Sequence, residues 1–304
     1  MVLRTLAWLC VPLAGLVELG GHFYFSTRAP KVEDWVRAKP AVAGLRHDGD
    51  LIVIAPDWAE PNARLAFGDA WFPLADVARP DESAYSRAVE VSIVGATAPE
   101  LRGWKLVEQR RQGKFTYRVL ENPRAAKMLF DFVNHVGEAT VADMDPAGVA
   151  TACHWNPKAA RSAGGLHGDP AFPSQRHDCG GSGRFVGVTV IEDERWRGRR
   201  CLWAMPPNRG ALSIRYSAVT LGQTVRGYGA LPQWIEREKR GAPVEMEVLA
   251  NGGSIGKYVH RDGDGWKGFA FPTGALAGST ADVEFRVTSS RPRDRQFCFQ
   301  ADTR

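Results

Sequence analysis

Several signatures are missing from this chain, and each absence removes a class of function. No His-Glu-x-x-His occurs, so the helical zinc-protease arrangement is excluded. No zinc finger, RNA-binding motif, basic helix or lysine-rich block stands out, and nucleic acid is not an expected partner. There is no internal repeat, which argues against solenoids and propellers, and no low-complexity tract. The acidic turn Arg261-Asp262-Gly263-Asp264-Gly265-Trp266 resembles a calcium loop, but no register puts glycine sixth and glutamate twelfth. Neither a cofactor nor a metal is expected.

With 44% hydrophobic residues and ten tryptophans among 304, the chain can build more than one core. The net charge of +5 comes from scattered arginines and suits an anionic membrane surface or acidic glycans. Residues 5–25 run from Thr5 through a nearly continuous apolar stretch to Phe23-Tyr24-Phe25, with Met1 and Arg4 ahead of it. That length approaches the ~20 residues needed to cross a bilayer. Thr27 and Ala29 are a poor cleavage site, and Leu9 is too large to precede a lipidated Cys10. Residues 1–27 therefore read as an uncleaved signal-anchor, a single transmembrane helix with the main domain extracytoplasmic, in the periplasm or outside the cell.

Four cysteines follow the apolar run, and an even number in an exported chain reads as two disulfides. Four cysteines allow three connectivities, and the favoured one pairs Cys153 with Cys179 and Cys201 with Cys298. Cys153–Cys179 would staple a loop rich in glycine, proline and histidine. Cys201–Cys298 would join the beginning and end of the last domain. The chain as a whole reads as α+β. Residues 28–145 alternate strands and helices as a small α/β domain, with a buried strand at Asp50–Ala55, a hairpin around Gln112-Gly113 and a helix over 123–136. A strand at Thr140–Asp143 closes that domain. Residues 146–182 form a stapled connector. From residue 183 to 304 nearly every segment is a short alternating strand, as in Val283-Glu-Phe-Arg-Val287, which argues for an antiparallel, jelly-roll-like β-sandwich.

The order Gly210-Ala-Leu-Ser-Ile-Arg-Tyr216, Gly227-Tyr-Gly229, Gly241-Ala-Pro-Val-Glu-Met-Glu-Val248, Gly253-Ser-Ile-Gly256 and Ala281-Asp-Val-Glu-Phe-Arg-Val287 resembles galactose-binding-like sandwiches, the group that includes many carbohydrate-binding modules. The resemblance covers about residues 185–304 and implies a glycan-binding module. Gly49-Asp50-Leu-Ile-Val-Ile-Ala-Pro56 resembles extracytoplasmic parts of membrane glycosyltransferases of the protein-mannosyltransferase type.

Four constellations carry chemistry. Cys153-His154, His167-Gly-Asp169 and His177-Asp178-Cys179 hold zinc-type donors, but the spacing fits no finger, and export would consume the cysteines as a disulfide. Gly252-Gly253-Ser254-Ile255-Gly256 matches a nucleophile elbow letter for letter, yet strands flank it where an elbow needs a helix, so it reads as a hairpin turn. Trp266 sits on a loop at one end of the sandwich. There its indole would cover a sugar face while Asp262, Asp264 and His260 hydrogen-bond the hydroxyls. The acidic cluster Asp57, Glu60, Asp69 and Asp81 follows a strand of the α/β domain, where such folds place ligands. Two functions follow. The first is a non-catalytic, membrane-anchored envelope protein whose sandwich binds a glycan or a partner protein. The alternative is an extracytoplasmic enzyme acting on sugar or lipid-linked glycans through residues 57–82.

Overall fold

The computed structural model describes residues 2–162, 164, 171–180 and 183–304. It divides into two compact units: Met1–Pro73 with Glu82–Ala125, and Leu74–Asp81 with Ala126–Arg304.

In the first unit, helix α1 (Val2–Arg28) covers the N-terminal apolar run. The expected transmembrane span is not supported, because no helix among the described residues is long and apolar enough to cross a membrane. Glu18, Gly20, Gly21 and His22 interrupt the run, and the clean stretch Thr5–Val17 falls short of the ~20 residues a crossing needs. Val11, Leu13, Leu16, Val17 and Phe23 stand exposed along the helix. Helix α2 (Val32–Ala43) starts where Asp34 accepts a hydrogen bond from the Lys31 amide (3.0 Å), and it contains Pro40 in its last turn. It buries Trp35, Ala38 and Val42. Strand β1 (Leu51–Ala55) is buried at every position, as its unbroken apolar run implies. After helix α3 (Glu60–Phe67) come β2 (Arg87–Ile93), β3 (Lys105–Gln112) and β4 (Phe115–Glu121). The sheet order is β1-β2-β4-β3, with β1 parallel to β2 and the β3–β4 hairpin turning at Gly113.

The second unit opens with the short helix α4 (Leu74–Val77). It continues with β5 (Phe130–Asp131), β6 (Thr140–Met144), β7 (Ala150–Ala152), β8 (His154–Asn156), β9 (Arg176–Asp178), β10 (Phe185–Glu192), β11 (Gly198–Ala204), β12 (Ala211–Thr220) and β13 (Thr224–Ala230). Helix α5 (Gln233–Glu238) and strands β14 (Val244–Ala250), β15 (Gly253–His260), β16 (Lys267–Pro272), β17 (Thr280–Ser289) and β18 (Cys298–Thr303) complete it. One antiparallel sheet runs β16-β13-β18-β11-β10-β9-β8, with β5 added to β18; the other runs β15-β14-β17-β12-β6-β7. Val186, Leu202, Val225 and Phe299 of the first sheet share a core with Ile214, Val248, Val283 and Phe285 of the second. That face-to-face packing of alternating inward residues is a β-sandwich. The β13 and β18 backbones approach so closely that a Cβ on Gly227 would lie 1.9 Å from the Gln300 carbonyl oxygen.

Two elements differ from expectation. No helix forms over 123–136: the Asp131 carboxylate takes the Val133 amide (2.9 Å) and the Asn134 amide (3.4 Å), and this local turn replaces the helical pairing. Phe132 then points into the sandwich core beside Tyr216 and Phe285. Strand β6 pairs with β12 in the six-stranded sheet rather than closing the α/β layer.

The disulfides are Cys153–Cys179 and Cys201–Cys298, and Cys10 is a free, exposed thiol. No metal-binding group of three or more ligands occurs among the described residues; His167 and Asp169 lie outside them. Ser254 sits in β15 opposite Leu249, just past a turn with Asn251 at φ 48° and Gly252 at φ 80°, as a hairpin requires.

Candidate functional site

The loop Arg261–Trp266 joins β15 to β16, and its sequence-predicted residues divide into buried supports and surface groups. His260 is fully buried. Its Nε2 is 2.6 Å from Glu236 Oε1 and its Nδ1 is 2.8 Å from the Tyr258 hydroxyl. Glu236 also accepts the Leu231 amide (2.9 Å) and the Gly263 amide (2.7 Å), so one buried carboxylate ties helix α5 to this loop. The network satisfies its members internally, which fixes the loop and leaves His260 no access to a ligand. Burial, with the nearby Asp264 and Glu236 charges, raises the Tyr258 phenol well above its ordinary pKa.

Asp262 is also occupied. Its carboxylate pairs with Arg295, only 2% of whose side chain is exposed, and accepts the Gly241 amide (2.7 Å). Asp264 is at the surface, bound to Lys267 Nζ (2.8 Å) and the Arg261 amide (2.9 Å). Burial alone would raise its carboxyl, but these two hydrogen bonds outweigh that and hold it below the usual carboxylate value. Trp266 is half-buried. Its ring lies parallel to Tyr228 (5.6 Å between centroids), the Arg199 guanidinium lies over it, and its indole N–H donates to the Pro80 carbonyl (3.1 Å). These contacts make Trp266 partly a packing residue.

The sequence reading missed the neighbouring β10–β11 turn. Asp193, only 4% exposed, accepts the Arg195 and Arg197 amides (2.8 and 3.0 Å) and the Arg199 guanidinium (2.8 Å). This single carboxylate holds a rigid turn from which Trp196 projects at φ 61°, with 48% of its surface exposed. A left-handed tryptophan is uncommon, and backbone strain of that kind collects at binding loops. The Arg237 guanidinium of α5 lies 5.3 Å from the Trp196 ring centroid. Gly265 abuts Glu194 so closely that a Cβ there would come within 2.9 Å of the carboxylate, which places the two turns side by side. The only sequence signal was Glu194-Arg195-Trp196-Arg197, an aromatic inside a charged hairpin turn. The site therefore offers one exposed indole, a stacked guanidinium and the Asp264–Lys267 pair on a rigid base.

The four carboxylates of the acidic cluster each have their own partners. Asp57 accepts the amide of Trp58 (2.9 Å). Glu60 and Asp69 both face Arg64, at 3.9 and 3.7 Å, in exposed pairs of the kind that contribute little. Asp81 belongs to the other unit, where it binds Arg226 and the Tyr228 hydroxyl (2.7 Å).

No family model matches the chain, and no curated protein does. Solved structures match at low similarity. The CBM51-2 and INT domains of Clostridium perfringens ZmpB are 8% identical with a TM-score of 0.27, over 38% of this chain and 26% of that one. The CBM51 of Clostridium perfringens GH95 in complex with methyl-galactose is 11% identical with a TM-score of 0.26, over 38% of this chain and 81% of that one. The K3 cleaved adhesin domain of Porphyromonas gingivalis Lys-gingipain is 12% identical with a TM-score of 0.28, over 57% of this chain and 93% of that one. The chain thus spans about a quarter of the first of these. At scores this low the likenesses carry no argument, and none of them supports the glycosyltransferase resemblance of the first unit.

Proposed function

We propose that the second unit is a non-catalytic glycan-binding β-sandwich acting in an oxidising, extracytoplasmic compartment. The observation that carries this reading is Trp196, a large apolar ring held in solvent by a rigid turn. Leaving an indole half-exposed forfeits burial free energy, and that arrangement suits a ring awaiting an apolar ligand face. The C–H face of a sugar ring is such a partner, and Arg237 and Asp264 supply a donor and an acceptor for its hydroxyls. The two disulfides support the oxidising compartment. A glycan array probed with the whole chain tests the reading. Binding of at least one glycan class, abolished by Trp196→Ala with the thermal midpoint unchanged, is the expected result. An array without signal, or one on which Trp196→Ala binds as well as the parent, would overturn it.

A further inference from the structure

The chemistry of the loops around Trp196 narrows the ligand. Four loops meet at this end of the sandwich: the β10–β11 turn, the segment following α5, the β15–β16 turn and the β17–β18 connection. Their contiguity rests on Arg237 over Trp196, Gly263 against Lys239, and Asp262 bound to both Gly241 and Arg295. Most of their exposed carboxylates have a cation beside them that offsets their charge: Arg240 beside Glu238 (2.9 Å), Lys267 beside Asp264 (2.8 Å) and Arg293 beside Asp294 (3.7 Å). Glu194 is the exposed acid left over. Against it stand Arg195, Arg237, Lys239, Arg261 and Arg291, all exposed and without a carboxylate partner among the described residues. Cations concentrated on one rim create a positive potential that recruits anions and that salt weakens.

We infer that the glycan taken at this end is anionic, a polysaccharide bearing carboxylates or sulfates. This rests on the glycan-binding reading and names its ligand class. The indole takes the apolar ring face, while the exposed guanidinium of Arg261 offers a planar fork to carboxylate or sulfate oxygens and Arg237, stacked on the indole, adds positive charge. The buried Glu236–His260–Tyr258 network holds the rim rigid, so little loop ordering opposes binding.

The test uses the whole chain against four probes: sulfated heparin oligosaccharides, oligogalacturonate, a neutral galactan, and vesicles of anionic phospholipid. Lys239→Glu combined with Arg261→Glu reverses charge at two exposed positions, with the thermal midpoint as the folding control. The inference expects one or both anionic glycans to bind at low salt, with affinity falling about tenfold or more in the double variant and again as salt rises past ~0.15 M. Trp196→Ala should remove the binding as well. Preference for sulfate or for carboxylate decides between the two anionic groups. Neutral galactan bound as tightly as the acidic sugars, with unchanged affinity in the double variant, overturns the anionic class while glycan binding stands. Vesicles bound as tightly as the sugars, with no loss in Trp196→Ala, overturn it in favour of bare charge attraction. Absence of binding to every glycan removes the glycan-binding reading and this inference with it.

Discussion

The two tryptophans at the loop end separate support from recognition. Trp266 has its ring against Tyr228 and its N–H on the Pro80 carbonyl, so Trp266→Ala is expected to cost about 2 kcal/mol, a loss read as a lower thermal midpoint. Trp196 stands 48% exposed, and Trp196→Ala is expected to leave the midpoint within a degree or so while removing ligand binding. Differential scanning of both variants distinguishes them, and equal destabilisation would show that Trp196 is packed rather than presented. A second residue-scale expectation concerns His177, which is 3% exposed with Nε2 3.0 Å from the Val136 carbonyl. Burial lowers its pKa from the usual 6.5, despite hydrogen bonds that act the other way. Unfolding therefore takes up a proton once the pH falls below the ordinary histidine value. The neutral ring's contribution is complete above pH ~6.5 and is lost progressively as the pH drops beneath it. His177→Gln should flatten the fall of the thermal midpoint between about pH 6.5 and 5; a parent midpoint constant over that range would rule this out.

Among the elements, strands were the most legible and the 123–136 segment the least. Leu51–Ala55 is apolar at every position and the structure buries all of it; Val283–Val287 alternates and forms part of β17. Their periods decide their environment without help from the rest of the chain. Residues 123–136 carry helical spacing as well, but Asp131 captures the next amides and Phe132 finds a core made by β12 and β17. A local pattern yields when a side-chain turn and a large aromatic burial oppose it. The two disulfides differ in what they constrain. Cys201–Cys298 closes 97 positions between β11 and β18, Cys153–Cys179 only 26. Chain entropy assigns the first about 4 to 5 kcal/mol and the second about 3 to 4. Replacing each pair by alanine should lower the calorimetric midpoint, more for the longer loop. The opposite order would point to native-state packing as the larger effect.

For the molecule as a whole, the oxidised state is the property with the plainest test. Protein recovered from an oxidising compartment should show one titratable thiol, at Cys10, and two linked peptide pairs under non-reducing mass analysis. Protein made in a reducing cytosol should melt at lower temperature, and Cys201 or Cys298 found free in exported material would count against the extracytoplasmic reading.

The sequence by itself determined the α+β class, the alternating strands of the sandwich, the hairpin turns and the number of disulfides, while their pairing was fixed by the fold. Each of these follows from periods, turn residues or cysteine number, which act over a few residues or through one covalent constraint. Tertiary structure decided the rest. It assigned β6 to the six-stranded sheet, and it placed residues 74–81 in the second unit, where the Arg79 carbonyl and Asp81 bind Arg199 and Arg226. It turned His260 and Asp262 from candidate ligand groups into buried supports, and it presented Trp196, whose exposure no local pattern encodes. Burial of a side chain depends on which distant strands pack above it, and that pairing is settled only when the two sheets close on one core.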